Sequence, residues 1–264
     1  MDTIQAIILG IVQGITEFLP VSSSGHLQIA KALLGVSIEE NLLFDVTLHA
    51  ATVLSTVVVL WSEVARLVRG LFSRRFNEEQ AYVLKLLLSM IPIGIVGFTL
   101  KDRLDALLES PAILLVVGCM LLVTAALLAF AYYAKPRQKA QLSYRDAFLI
   151  GVAQAAAAMP GLSRSGSTIA TGLLLGNRKE TVAQFSFLMV LAPILGETFL
   201  ELMKGNLGAQ AIGTAPLAAG FVVAFVVGCL ACKFMIEIVK RGKLVWFALY
   251  CATAGLVSIL SYLL

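Results

Sequence analysis

The sequence predicts an all-α, polytopic membrane protein: six transmembrane helices plus two re-entrant helix-loop-helix hairpins, related as an inverted-topology repeat. Three observations predict it. First, the chain of 264 residues is 59% hydrophobic and only 14% charged, with a mean hydropathy of +0.91, whereas soluble domains carry about 25% charged residues. Second, six apolar runs, 42–62, 82–100, 111–134, 182–202, 215–238 and 244–264, approach the ~20 residues that a helix needs to cross a bilayer. Third, four further runs, 4–19, 26–35, 146–159 and 167–176, are short or interrupted and fall in two pairs. A ten-residue helix rises only about 15 Å, half the hydrocarbon core, so each pair reads as a hairpin that enters and leaves on the same side. No polar stretch is long enough for a soluble domain, and residues 1–264 are expected to form one membrane domain.

Taken in order, the run 4–19 starts behind Asp2, a suitable N-cap, and ends in Pro20-Val-Ser-Ser-Ser-Gly25. The run 26–35 completes the first hairpin. The span 42–62 carries Asp45 and His49 at i, i+4 on one face, read as a surface-level pair at the outer end. Loops rich in Arg66, Arg69, Arg74, Arg75 and Lys85, in Lys135, Arg137, Lys139 and Arg145, and in Lys240, Arg241 and Lys243 alternate with near-neutral loops at 101–110 and 203–214. The positive-inside rule places the basic loops in the cytoplasm. Both termini and the opening of the first hairpin are then outside, while the second hairpin opens to the cytoplasm.

The second hairpin starts behind Ser143 and breaks at Pro160-Gly-Leu-Ser-Arg-Ser-Gly166. It repeats the first at a constant offset of 141, as Gly10 to Gly151 shows. Ala6/Ala147, Gln13/Gln154, Ser22/Ser163, Ser24/Ser165, Gly25/Gly166, Leu33/Leu174, Leu34/Leu175, Gly35/Gly176, Glu39/Glu180 and Phe44/Phe185 are also identical pairs. The repeats cover approximately 2–62 and 143–203 and enter from opposite sides. Sites in such folds lie near the midplane, at broken helices.

Other features carry less. Met1-Asp2-Thr3 lacks a basic n-region, so no cleavable signal peptide is expected. The net charge of +4 sits in the loops and does not suggest nucleic acid. Cys119, Cys229, Cys232 and Cys251 lie in apolar runs, and Cys229-Leu-Ala-Cys232 lacks the second pair that a metal site needs. Glu197 and Glu201, and Lys233 and Glu237, sit near span ends and read as snorkelling or structural groups.

The breaks concentrate the chemistry. Ionisable groups are costly in lipid and mark function, and Glu17 and Arg164 stand there. Each break precedes a half-helix, starting at Gly25-His26 or Gly166-Ser167, whose free N–H groups attract phosphate-like anions. The Arg164 guanidinium matches a bidentate oxyanion. Glu17, Ser22, Ser23, Ser24 and His26 supply carboxylate, hydroxyls and imidazole, as phosphoryl transfer requires. Ser163, Ser165, Gly166 and Thr168 line the second break. Gln13 and Gln154 read equally as structural glutamines or as ligands. The same architecture serves secondary transporters, so a transporter or flippase of a phosphorylated lipid or anion is the alternative, and phosphate release discriminates.

Gln13-x-x-x-Glu17-Phe-Leu-Pro-Val-Ser-Ser-Ser-Gly-His26 and Pro160-Gly-Leu-Ser-Arg-Ser-Gly166 resemble the two signature motifs of the BacA-type undecaprenyl-pyrophosphate phosphatases. The resemblance covers the whole chain. It implies a multi-pass enzyme of the bacterial plasma (inner) membrane. Such an enzyme hydrolyses undecaprenyl diphosphate to the monophosphate carrier of wall synthesis, uses a divalent cation (Mg²⁺ or Ca²⁺), and confers bacitracin resistance. By position, it implies Glu17 in metal or water handling, Ser23 and His26 in the reaction, and Arg164 on the diphosphate. Ser23 as nucleophile and Ser23 as orienter of water both stay open, as does a homodimer. Many members carry glutamate where this chain has Gln13, which places a two-carboxylate metal site in question.

Overall fold

The structure, a computed structural model, describes residues 1–36, 42–108, 110–133, 139, 141–196 and 212–263. Among them are twelve helices: α1 (Thr3–Thr16), α2 (Ser23–Leu33), α3 (Leu42–Val59), α4 (Trp61–Leu71), α5 (Glu78–Thr99), α6 (Lys101–Leu108), α7 (Ile113–Tyr133), α8 (Tyr144–Ala156), α9 (Arg164–Leu174), α10 (Lys179–Met189), α11 (Thr214–Arg241) and α12 (Val245–Leu263). Residues 191–196 are also helical. No strand occurs among the described residues; a single parallel bridge joins Lys139 and Asn177.

The expected caps form. Asp2 accepts from the Gln5 N–H while the Gln5 side chain accepts from Asp2, a reciprocal capping box. Ser143 accepts from the Asp146 N–H. Four helices are long and apolar enough to cross a membrane, α5, α7, α11 and α12, and a fifth arises if the bent pair α3–α4 counts as one span.

Several boundaries differ from the sequence expectation. The span 42–62 stops at Val59, and α4 leaves it at 81°. Apolar Val57-Val58-Val59 gives way there to Glu63, Arg66 and Arg69, which cannot follow α3 into hydrocarbon. The expected loop at 101–110 is largely the helix α6. The run 182–202 is interrupted after Met189, with a turn at Val190. Its end, with Glu197 and Glu201, lies outside the described residues, as do Glu39, Lys135 and Arg137. Glu237 pairs with Arg241 at 2.7 Å, a structural contact one turn away.

Backbone approach sets the packing around the breaks. α1 lies along α11 and α8 along α5. A Cβ on Gly10 would stand 2.8 Å from the Gly220 carbonyl oxygen, and one on Gly14 2.9 Å from that of Ala224. Gly151 presses likewise on the Ser89 backbone. Small residues at such crossings give the dispersion contact that associates helices in lipid, where burial from water supplies no drive. Against α11 also packs α3, while α7 pairs with α12 and touches α9. The buried core runs from Phe18 through Ile150, Ile169, Phe185 and Met235, around both breaks. The four cysteines are free thiols.

Candidate active site

The two breaks share a local construction. Ser22 Oγ lies 3.5 Å from Ser24 Oγ, and Ser163 Oγ lies 3.4 Å from Ser165 Oγ. In each, the first serine's carbonyl accepts the N–H four residues on, from His26 or Ser167. The half-helices start earlier than expected, at Ser23 and Arg164, so these side chains themselves project from a first turn. Ser163 Oγ caps α9 by accepting the Gly166 N–H at 3.1 Å, which removes that N–H from any anion cradle.

The breaks meet. A Cβ on Gly166 would stand 3.2 Å from Pro20 Cβ, so glycine lets the second half-helix abut the first break. Ser165 Oγ donates to the Leu19 carbonyl at 3.2 Å. Between them Arg164 Nη2 donates to Glu17 Oε1 at 2.8 Å. The other carboxylate oxygen, Oε2, accepts from Ser23 Oγ at 2.8 Å and from Gln13 Nε2 at 3.0 Å. Glu17 is 5% exposed and Arg164 27%. A buried ion pair is held at the cost of desolvation, so this one marks a site more than it marks stability. Gln13 is thus an orienting partner of Glu17. Its Oε1 is buried with no hydrogen-bond partner.

His26 points elsewhere. Its Nδ1 donates to the Ser22 carbonyl at 2.9 Å, because a carbonyl can only accept. Its Nε2 meets Tyr250 Oη on α12 at 2.5 Å, and the rings stack. Ser24 is exposed, and Thr168 Oγ1 donates back to the Arg164 carbonyl. Gln154 is buried at 1% exposure with both amide atoms unpartnered, unlike its counterpart Gln13.

Asp45 and His49 are not a side-chain pair. Asp45 accepts from Lys31 at 2.6 Å, with Lys31 only 3% exposed, and ties α3 to α2. His49 Nδ1 donates to the Asp45 carbonyl at 2.9 Å. One turn on, Thr52, Val53 and Thr56 face a small cleft that contains Glu17 and Arg164; Ser186 and Phe187 of α10 close it. The spacing 49, 52, 53, 56 is a single helix face, the signal in the sequence that would have added α3 to the site. Nothing in the local sequence around Ser186 marks it.

The donors suit a hard cation only in part by themselves. Among the described residues no three His, Cys, Asp or Glu side chains gather to hold a metal. Glu17 with the orphaned Gln13 Oε1 nevertheless fits the Mg²⁺ class, which is typically held by one or two carboxylates together with substrate phosphates.

The chain is similar to known proteins along nearly its whole length. The family model described as bacitracin resistance protein BacA matches residues 6–257. The chain is 62% identical over 267 residues to a protein of Parabacteroides distasonis named undecaprenyl-diphosphatase, covering all of both. It is 58% identical over 266 residues, again covering both fully, to one of that name from Bacteroides thetaiotaomicron. A Methanosphaera stadtmanae protein of that name is 36% identical over 98% of each. With several apolar helices of spanning length and a match running through both breaks, the chain is a multi-pass membrane protein that belongs to the BacA family.

Proposed function

We propose that the protein is an undecaprenyl-diphosphate phosphatase, hydrolysing undecaprenyl diphosphate to undecaprenyl phosphate and inorganic phosphate. The observation that carries the reading is the Glu17–Arg164 pair, which joins the two breaks and holds Ser23 on its carboxylate. Relatives over the whole chain are named undecaprenyl-diphosphatase.

The diphosphate takes Arg164 as its partner. Only one guanidinium contact is committed to Glu17, and the remaining donors suit the oxygens of the terminal phosphate. The free N–H groups of the first turn of α2 add to this. Glu17 is the base: it already accepts the Ser23 hydroxyl proton, so it can take one from the group attacking phosphorus, whether Ser23 or a water beside it. The P–O bond to the prenyl phosphate then breaks and undecaprenyl phosphate leaves. Where water attacks, inorganic phosphate forms directly; where Ser23 attacks, a water deprotonated by Glu17 then cleaves the Ser23–phosphate ester and releases it. A divalent cation, Mg²⁺ or Ca²⁺, would be held by Glu17 and Gln13 Oε1 and would neutralise diphosphate charge. The apolar cleft wall of Phe18, Val53, Phe187, Val190 and Ile194 suits the start of a prenyl chain. His26 is bonded to the Ser22 carbonyl and to Tyr250, through which it can exchange a proton in the reaction.

Around the site, the inverted repeat and two re-entrant hairpins remain the reading of the architecture. The matching serine pairs and the corresponding packing of α1 on α11 and of α8 on α5 support it. The setting is the bacterial plasma membrane, with the first hairpin opening outward. Cysteine placed at Asp105 in a cysteine-free background should react with an impermeant thiol reagent on intact cells, and cysteine at Ser73 should not. Purified protein in detergent should release phosphate from undecaprenyl diphosphate with Mg²⁺ or Ca²⁺, and EDTA should suppress release. Intact diphosphate under those conditions would instead favour transport of a phosphorylated lipid.

A further inference from the structure

We infer that Ser186 of α10 is a substrate-contacting residue of this site, donating its hydroxyl to the diphosphate oxygens beside Arg164. The inference rests on the phosphatase reading and adds a third helical element to a site that the two breaks alone would define.

Three observations carry it. Ser186 is 1% exposed and its Oγ has no hydrogen-bond partner among the described residues. Buried hydroxyls are almost always bonded, and helical serines without another partner turn back to the carbonyl one turn earlier. The hydroxyls of Thr47 and Thr56 do so in α3, and Ser186 does not. Next, Ser186 lines the same small cleft as Glu17, Arg164 and Ser165, so its unused donor belongs to the wall around the ion pair. Finally, its placement is fixed by aromatic contacts. Phe187 packs edge-on against Phe18, next to Glu17, with ring centroids 5.7 Å apart, and Phe185 packs edge-on against Tyr82 of α5. These contacts hold α10 against the first break and fix where Ser186 stands.

A hydroxyl kept dry and unbonded in the free protein is a cost to the fold that binding an oxyanion would remove. It complements Arg164, since the guanidinium supplies charge and the hydroxyl adds a directed donor that a diphosphate can use while Glu17 holds Arg164 Nη2.

The test compares wild type, Ser186→Ala and Ser186→Cys as purified protein in detergent. Phosphate release from undecaprenyl diphosphate and the thermal midpoint are measured in parallel. The expected result is a fall in kcat/KM of at least about tenfold for Ser186→Ala, with an unchanged or raised midpoint, and a smaller fall for Ser186→Cys, which keeps a weak donor. An alanine variant as active as wild type overturns the inference alone. So does one that melts several degrees lower, because that marks the hydroxyl as structural. Wild-type protein that leaves the diphosphate intact overturns the phosphatase reading itself.

Discussion

In the first break, Ser22 holds a left-handed backbone at φ 69 without being glycine, Ser24 is exposed and α2 is only partly buried. In the second, Gly161 takes the left-handed turn at φ 89, Ser163 caps α9, and Ser165 through Ala170 are all buried. Ser163 also draws its own N–H onto Thr124 Oγ1 of α7. The serine pairs match, yet the surroundings differ. The first break carries Glu17, Ser23 and Gln13 in one bonded group. The second contributes one charged group, Arg164, from an otherwise closed setting of buried, uncharged residues. Where two segments share a backbone motif, the less tightly packed one can hold strained, polar chemistry, while the other fixes its partner's position. Strain at Ser22 fits that division, since sparsely populated backbone conformations gather at functional sites.

Glu17→Ala tests the division most severely. It removes the proposed base and leaves Arg164 without its partner, and turnover should fall by about a thousandfold, measured as phosphate release at saturating Mg²⁺. Retention of activity within a few-fold would move the chemistry out of the first break.

Gly161→Ala should act on the second break as a scaffold. Its Cβ would stand 2.6 Å from the Val117 carbonyl oxygen at a positive φ, for a loss of about 3 kcal/mol seen as a lowered thermal midpoint. Gly25→Ala meets nothing closer than 3.6 Å and should melt like wild type. Equal midpoints for the two variants would erase the contrast.

Arg164→Lys keeps the charge and loses the planar fork. Its kcat/KM should drop at least about tenfold, or ~1.4 kcal/mol; wild-type kinetics would show that diffuse charge suffices.

The glutamines sharpen the comparison with the smallest effects. Gln154→Leu removes two unpartnered buried amide atoms and should raise stability by about 1 kcal/mol with turnover unchanged. Gln13→Glu should be tolerated and should tighten the dependence on metal concentration. A Gln154→Leu variant that loses activity would place that residue in the site.

The repeat explains why much of the site was legible. Glu17, Ser23 and Arg164 stand out because ionisable and polar groups interrupt long apolar runs, and the structure brings all three together. The caps Asp2 and Ser143 were legible because capping depends on residues within one turn. His26 was legible as a helix-start group, but its direction toward Tyr250, 224 residues away in sequence, was not. Asp45 and His49 looked like a pair because spacing along one helix cannot reveal Lys31 on another.

Local composition by itself therefore determined that this chain is helical and membrane-bound, that its helices break at two serine-rich segments, and that Glu17, Ser23 and Arg164 stand at the breaks. Those properties follow from hydrophobicity and backbone preference over a few residues. Only the tertiary structure decided which carboxylate oxygen receives Arg164, that Gly166 spends its N–H on Ser163, and that α3 and α10 close the cleft with Thr52, Thr56 and Ser186. The reason is physical: hydrogen bonds and helix crossings depend on distances of about 3 Å between segments far apart in the chain, and local preference does not encode them.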